Sequence, residues 1–278
     1  MHNIFSPTLA FAVKCSKEAG RKILQMRASL IHAKQKTNRH NIVTSADFVS
    51  EKLLIDSIKT KYQSHGIISE ETGIVNSNSD NFWIIDPLDG TSNFAAGLDW
   101  FGVMMAYVCN GKVLCGVAYL PALNYLYYAE IGKNFYKGSE CISINENLTI
   151  EDSLCTFGID ANGTDQLVRK QFRIIHKVAK VSRNIRSTNC LLDFCLVAEG
   201  KIGGVINFNM KIWDIAALNL IITMAGGVVS DLKGRPIDFS FSENILEKEF
   251  AVVAGAPKVH RALLEIIEES GCPTTNQS

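Results

Sequence analysis

The chain has 278 residues, 47% hydrophobic and 20% charged, with Lys plus Arg and Asp plus Glu both at 28. A chain of this length can bury about three quarters of its unfolded surface, and the composition excludes a disordered polymer. The formal net charge of zero argues against a protein that coats nucleic acid, and no apolar run is long enough for a membrane helix.

Residues 8 to 31 have helical spacing, with Leu9, Ala12, Val13, Ala19, Ile23 and Leu24 apolar and Lys and Arg between them. The patch from Thr8 to Val13 lacks a basic segment before it and a small-residue cleavage site after it, so it reads as mature helix and not as a signal peptide. A polar stretch follows, and then Thr44 and Asp47 show the S/T-x-x-D spacing of a helix start, with Phe48, Ile55, Ile58 and Tyr62 recurring on one face. Asp47 therefore falls in a first turn, where a carboxylate also serves as a simple cap. Ile67 and Ile68 form a short strand that stops at Glu70 and Glu71.

The stretch WIIDPLDGTSNF, residues 83 to 94, sets Asp86 and Asp89 three apart after an apolar run. Two carboxylates this close repel unless something positive lies between them. On this stretch alone two alternatives stand: a strand-end turn built by Asp86 and Asp89-Gly90, or a cation site.

Residues 101 to 131 read as successive strands with turns at Asn110-Gly111 and Pro121 to Asn124. A strand, a polar loop and a helix beginning near Thr164 follow. CLLDFCLVAEGKIGGVINF gives a helix and a strand, and WDIAALNLIITMAGG an apolar helix with Asp214 at its start and Gly226-Gly227 as its stop. A further strand and an amphipathic helix close the chain, and the tail from residue 272 is expected to fray. The irregular order predicts an α+β protein with mixed sheets under helical layers. The eight cysteines form no C-x-x-C pair, which predicts buried thiols in a reducing, cytoplasmic setting.

Asp47, Glu70, the pair Asp86 and Asp89, and Asp214 each sit where an apolar strand stops or a helix starts. Hard divalent cations take oxygen ligands, and magnesium is commonly held by a few carboxylates plus phosphate oxygens. The chain has no G-x-x-x-x-G-K-[ST], G-x-S-x-G, H-E-x-x-H or G-x-G-x-x-G motif, and its six histidines are scattered.

WIIDPLDGTSNF and WDIAALNLIITMAGGVVSD resemble the two signature motifs of the inositol monophosphatase family of lithium-sensitive, magnesium-dependent phosphatases. IISEETG resembles that family's Glu-Glu element and NIVTSAD its upstream Asp element, and all four stand in family order. The resemblance implies a five-layered α-β-α-β-α sandwich of the inositol monophosphatase and fructose 1,6-bisphosphatase type. It implies one catalytic domain over residues 1–278, in two lobes with the metal site between them, acting as a homodimer without nucleic-acid or membrane partners.

By position it assigns two to three Mg2+ ions: one to Glu70, Asp86 and the Leu88 carbonyl, one to Asp86, Asp89 and Asp214, and a weaker third near Glu70. Asp47 and Thr91 would activate the attacking water, and the Gly90 and Thr91 amides would cradle the phosphate. Lys36 stands where the family often has a lysine near the site. Paired metals can lower the pKa of a bound water and stabilise the leaving oxygen. The implied substrate is a small phosphorylated metabolite, inositol 1-phosphate first. Fructose 1,6-bisphosphatase, 3′-phosphoadenosine 5′-phosphate phosphatase and a non-catalytic regulatory relative remain alternatives.

The substrate wall departs from the family pattern. Thr188, Asn189 and Cys190 replace a Gly-Ser/Thr-Ala run, Asn207 replaces a glutamate that grips inositol hydroxyls, and Met224 replaces the usual Glu of the second motif. If Lys211, Arg183 and Arg186 face the cleft, they favour a more anionic substrate, and bisphosphates should then turn over at least comparably to inositol 1-phosphate.

Overall fold

The computed structural model describes residues 5–27, 45–159, 164–242 and 244–271, with the backbone of two short strands at 34–35 and 42–43. Thr44, Lys36, residues 28 to 31 of the first expected helix and the tail from 272 lie outside the described residues.

Helices α1 (Pro7–Arg27) and α2 (Ser45–Lys61) pair with each other, joined through the two-residue strands β1 (Lys34–Gln35) and β2 (Ile42–Val43). They cover one face of an eight-stranded sheet. Its strands, in chain order, are β3 (Gly66–Ser69), β4 (Gly73–Val75), β5 (Asn81–Asp89), β6 (Gly102–Cys109), β7 (Lys112–Leu120), β8 (Tyr125–Glu130), β9 (Phe135–Lys137) and β10 (Glu140–Ile142). The spatial order is β10-β9-β8-β7-β6-β5-β3-β4, antiparallel except for β3 with β5. The short helix α3 (Thr91–Ala95) leaves the end of β5.

The second sheet holds β11 (Leu154–Gly158), β12 (Asn184–Arg186), β13 (Gly204–Met210), β14 (Val228–Asp231) and β15 (Phe250–Gly255), in the order β12-β11-β13-β15-β14. Between the sheets run α5 (Leu191–Ala198) and α6 (Ile212–Met224); α4 (Asp165–Val181) and α7 (Pro257–Glu269) pack together, α7 against β13, β14 and β15. These are the five expected layers.

The strand sequences follow from this layering. Along β5, Phe82 and Ile84 enter the core shared with the second sheet, while Trp83 and Ile85 enter the core under α1 and α2. A sheet covered on both faces needs near-continuous apolar strands in place of alternating ones. Helix α6 is apolar on almost every side because both sheets touch it. By contrast α4 buries only Gln171, Ile174 and Val178, and Thr164 caps it by accepting from the Leu167 amide at 3.3 Å.

Strand β5 does not stop at Asp86. It runs through Pro87 to Asp89, with its register to β6 shifting between Asp86 and Asp89. Proline has no amide to give a ladder, so it falls at the irregularity. The shift keeps both acids on one strand end, a placement that turn chemistry alone does not predict.

The position of α6, and so of Asp214, depends on Gly116 in β7. A Cβ there would lie 2.8 Å from the Ala217 carbonyl oxygen and 3.1 Å from its Cα, both backbone atoms of α6. Overpacking of this kind costs about 1–3 kcal/mol. Gly116→Ala is therefore expected to lose about that much in urea unfolding, and a variant as stable as the parent would show that α6 is not held against β7 this closely.

Candidate active site

Asp86 is 1% exposed, and its Oδ1 accepts from the Leu88 amide at 3.0 Å. Asp89 Oδ2 accepts at 2.6 Å from the amide of Leu191, the first residue of α5. Asp214 lies in the first turn of α6, where its Oδ2 accepts from the Lys211 amide at 2.6 Å. Each of the three carboxylates is thus oriented by a backbone donor, and each offers an oxygen within 4.8 Å of the other two.

Glu70 follows the end of β3 and is not one of those three. Its charge nevertheless leads the neighbouring carboxylates in its effect on Asp86. Burial pushes the Asp86 carboxyl well above its ordinary value, and the charges of Glu70, Asp89, Asp214 and Asp47 push it further. The donors are all hard oxygens crowded together, and burial, joined by their repulsion, favours the protonated form of Asp86. That set fits a hard divalent cation.

Asp47 is buried in the first turn of α2. The Thr91 hydroxyl lies 3.2 Å from Asp47 Oδ1 and 2.9 Å from the Leu88 carbonyl oxygen, so its single proton can go to either acceptor. Between Asp89 and Thr91, Gly90 has φ 78°, and a Cβ on it would lie 2.6 Å from the Trp100 carbonyl. Only glycine suits both demands.

The residues that the sequence suggests as a substrate wall lie against this strand end. The Cys190 Cβ would lie 3.2 Å from a Gly90 Cβ. Asn189, itself at φ 52°, accepts from the Ile159 amide at 3.0 Å. Asn207 sits opposite Gly158 in the β11–β13 register, with its Nδ2 only 2.2 Å from where a Gly158 Cβ would stand. So Asn207 and Asn189 meet over one glycine. Lys211 is committed elsewhere: its Nζ donates to the Glu247 carbonyl at 3.0 Å and lies 3.7 Å from Glu249 Oε1. Arg183 and Arg186 are exposed, and Arg186 donates to the adjacent Ile185 carbonyl. Of the three cations named as conditional cleft residues, Lys211 has its ammonium engaged by the Glu247–Glu249 segment.

Three residues that motif reading missed also shape the site. Asp193, 2% exposed, accepts from the Thr188 amide at 3.0 Å and the Asn189 amide at 2.9 Å, which fixes the wall loop. Asn93 donates to the carbonyls of Trp100 at 2.9 Å and Thr188 at 3.0 Å. Glu51, one turn beyond Asp47 in α2, is 5% exposed. The sequence offered only a weak signal for Glu51: an acid at helical spacing from Asp47 on an otherwise apolar face.

The family model described as the inositol monophosphatase family matches residues 5–271. The chain is 31% identical over 266 residues to the fructose-1,6-bisphosphatase/inositol-1-monophosphatase of Thermotoga maritima, covering 95% of this chain and 98% of the relative. It is 33% identical over 266 residues to a protein of Neisseria meningitidis named putative Nus factor SuhB, covering 94% and 98%. Among solved structures, the IMPase of Thermotoga maritima superposes with a TM-score of 0.84 at 27% identity, covering 97% of this chain and 100% of that one.

The raised Asp86 carboxyl has a consequence for the cation-free protein. Its folded state holds the proton to a higher pH than the unfolded state does. The stability it contributes is full below the unfolded pKa and lost as pH rises through the higher folded pKa. In chelator, Asp86→Asn is expected to be more stable than the parent at neutral pH, with the difference shrinking toward about pH 4. Urea unfolding across that range measures it; a parent that gains stability relative to the variant as pH rises would refute the crowded-carboxylate account.

Proposed function

The chain belongs to the inositol monophosphatase family and is a phosphoric monoester hydrolase, and from that premise we propose that it hydrolyses inositol 1-phosphate and related small phosphate monoesters with magnesium. The observation that carries this reading is the Thr91–Asp47 contact beside the carboxylates of Asp86, Asp89 and Asp214.

In this reading Asp86, Asp89 and Asp214, joined by Glu70 and the Leu88 carbonyl, hold two to three Mg2+ ions. Bound magnesium supplies Lewis acidity, activating water and neutralising charge on the phosphate and leaving oxygens. The Thr91 hydroxyl donates to Asp47 and turns a lone pair outward, from which it accepts a proton of the attacking water. Asp47 receives the Thr91 proton in turn and fixes the hydroxyl's direction. The amides of Gly90 and Thr91 donate to phosphate oxygens. The attack is direct, without a phosphorylated side chain.

Substrate choice falls to the wall. An amide at Asn207 both donates and accepts, but it grips sugar hydroxyls less strongly than a carboxylate does. With Lys211 held by Glu247 and Glu249, support for a bisphosphate preference is reduced to the exposed Arg183 and Arg186. Inositol 1-phosphate therefore stands first, and fructose 1,6-bisphosphate, part of the Thermotoga relative's name, stands second. A regulatory role without turnover is the remaining reading, favoured by the similarity to a protein named as a Nus factor.

The reading also includes a cytoplasmic homodimer. Among the described residues all seven cysteines are thiols, as a reducing compartment keeps them. No helix there is long and apolar enough to cross a membrane. Leu98 and Trp100 are exposed apolar side chains available for self-association.

Phosphate release from inositol 1-phosphate, fructose 1,6-bisphosphate and 3′-phosphoadenosine 5′-phosphate, each with and without magnesium, tests the proposal. Turnover is expected only with magnesium, and highest in kcat/KM for inositol 1-phosphate. Asn207→Glu is expected to raise that value by about tenfold through the stronger grip of a charged acceptor. Release from none of the three would favour the regulatory reading; an unchanged substrate ranking in the variant would remove Asn207 from the wall's selective residues.

Asp47→Asn and Thr91→Ala are each expected to lower kcat by about 10²- to 10⁴-fold with little change in KM. Because the two act as one unit, the double variant should be little worse than either single one. Multiplying effects in steady-state kinetics would separate the pair.

A further inference from the structure

Glu51 is a buried acid to which no motif assigns a role. It lies on α2 one turn after Asp47, on the side facing the strand ends. Its Oε1 accepts from the Ser69 hydroxyl, from the Glu71 amide at 3.2 Å and from the Thr72 amide at 2.8 Å; its Oε2 accepts from the Thr72 hydroxyl at 2.8 Å. Four donors from three residues thus converge on one carboxylate, and those residues bracket Glu70 on both sides. All four donors are neutral, so the group is solvated by the turn in the way water would solvate it. An ionised acceptor makes each of these bonds stronger than a neutral one would.

The turn needs such a restraint. Glu70 sits in the short link between β3 and β4, half-exposed, with its charge directed at a strand end that already carries Asp86 and Asp89. Repulsion from those acids opposes this placement of the Glu70 carboxylate when no cation offsets it. The same helix is fastened to the other strand end, since Ser50, fully buried, donates to the Pro87 carbonyl at 2.7 Å. Neighbouring residues of α2 therefore hold the β5 end and the β3–β4 turn at a fixed separation.

We propose that Glu51 is a positioning residue: it fixes the Ser69–Thr72 turn so that the Glu70 carboxylate is set in place for a divalent cation before the cation arrives. This rests on the reading of Glu70 as a cation ligand given above. Groups behind the direct ligands commonly alter metal affinity by roughly 10- to 100-fold when replaced. The Glu51→Gln change would keep one acceptor oxygen but turn an NH2 toward amide donors, so the turn would lose part of its hold.

The test compares the full chain with Glu51→Gln, Glu70→Gln and the double variant. Three quantities are read: hydrogen exchange of the Glu71 and Thr72 amides without metal, Mn2+ and Mg2+ affinity by calorimetry, and the magnesium dependence of turnover. Glu51→Gln is expected to speed exchange at those two amides, to weaken metal binding by about tenfold and to raise the magnesium half-saturation in step. Saturating magnesium should restore its kcat toward that of the parent. In the Glu70→Gln background the same change should weaken metal binding no further, because its effect passes through Glu70.

Unchanged metal affinity in Glu51→Gln, or an equal loss with and without Glu70, would overturn the proposal. So would a fall in kcat that saturating magnesium does not restore. If Glu51→Gln does not fold, Thr72→Val removes one donor from the same carboxylate and should move exchange and affinity in the same direction by a smaller factor; no movement would equally overturn it. Exchange and calorimetry judge Glu51 even if no phosphate monoester is turned over, so failure of the hydrolase reading and failure of this proposal are distinguishable.

Discussion

Three carboxylates, those of Asp86, Asp89 and Asp214, each bring an oxygen within 4.8 Å of the other two, and their repulsion sets terms for everything around them. At an effective dielectric of about 20, two unit charges at that distance repel by roughly 3 kcal/mol, so three pairs amount to roughly 10 kcal/mol. The first turns of α2, α5 and α6 meet this cluster through Asp47, Leu191 and Asp214. Helix ends each contribute about 0.3–1 kcal/mol to a nearby anion. Three of them recover a minor part of the repulsion, and the rest adds to burial in raising the Asp86 carboxyl well above its ordinary value. A divalent cation held by these oxygens would offset the remaining negative charge.

A cluster under such strain stays together only if its backbone cannot move apart. The acids come from β5, from the turn after β3 and from the starts of α2 and α6, so four segments must be held in mutual register. Helix α2 grips two of them through Ser50 and Glu51, and α6 is seated by close backbone contact at Gly116. A small residue is needed there because a backbone can approach no closer than its neighbours' Cβ atoms allow.

The acids themselves were legible in the sequence because each follows or opens an apolar run, and a run that ends on a carboxylate is visible without knowing the fold. The turns around β6, β7 and β8, the cap at Thr164 and the stop after α6 were legible for the same local reason. Strand β12 and the β9–β10 hairpin were not, since three-residue strands carry too little pattern to stand out. The run of β5 past Pro87 was hidden because its pairing with β6 resumes only at Asp89, after an irregularity that local propensity does not encode. Glu51, Asn93 and Asp193 escaped notice because their partners lie on other elements, 20, 95 and 5 residues away. The partners of Lys211 were hidden for the same reason, since only the fold brings Glu247 and Glu249 beside it.

The same division separates the acid cluster from the residues proposed to set selectivity. The acids stand on the large sheet, α2 and α6, whereas Thr188, Asn189 and Asn207 stand on the small sheet and the loop before α5. Asn93 and Asp193 hold that loop without touching the acid cluster, so the wall can change residues while the cluster keeps its geometry. The exception is the start of α5, where the Leu191 amide binds Asp89 and Cys190 packs on Gly90. Burial pushes the Cys190 thiol up, and the Asp89 carboxylate pushes it further, so it stays protonated and neutral at neutral pH. A side chain that ionised there would add one more negative charge to a cluster that already cannot hold its own. What this position tolerates is therefore decided by the acids, even though the residue belongs to the wall.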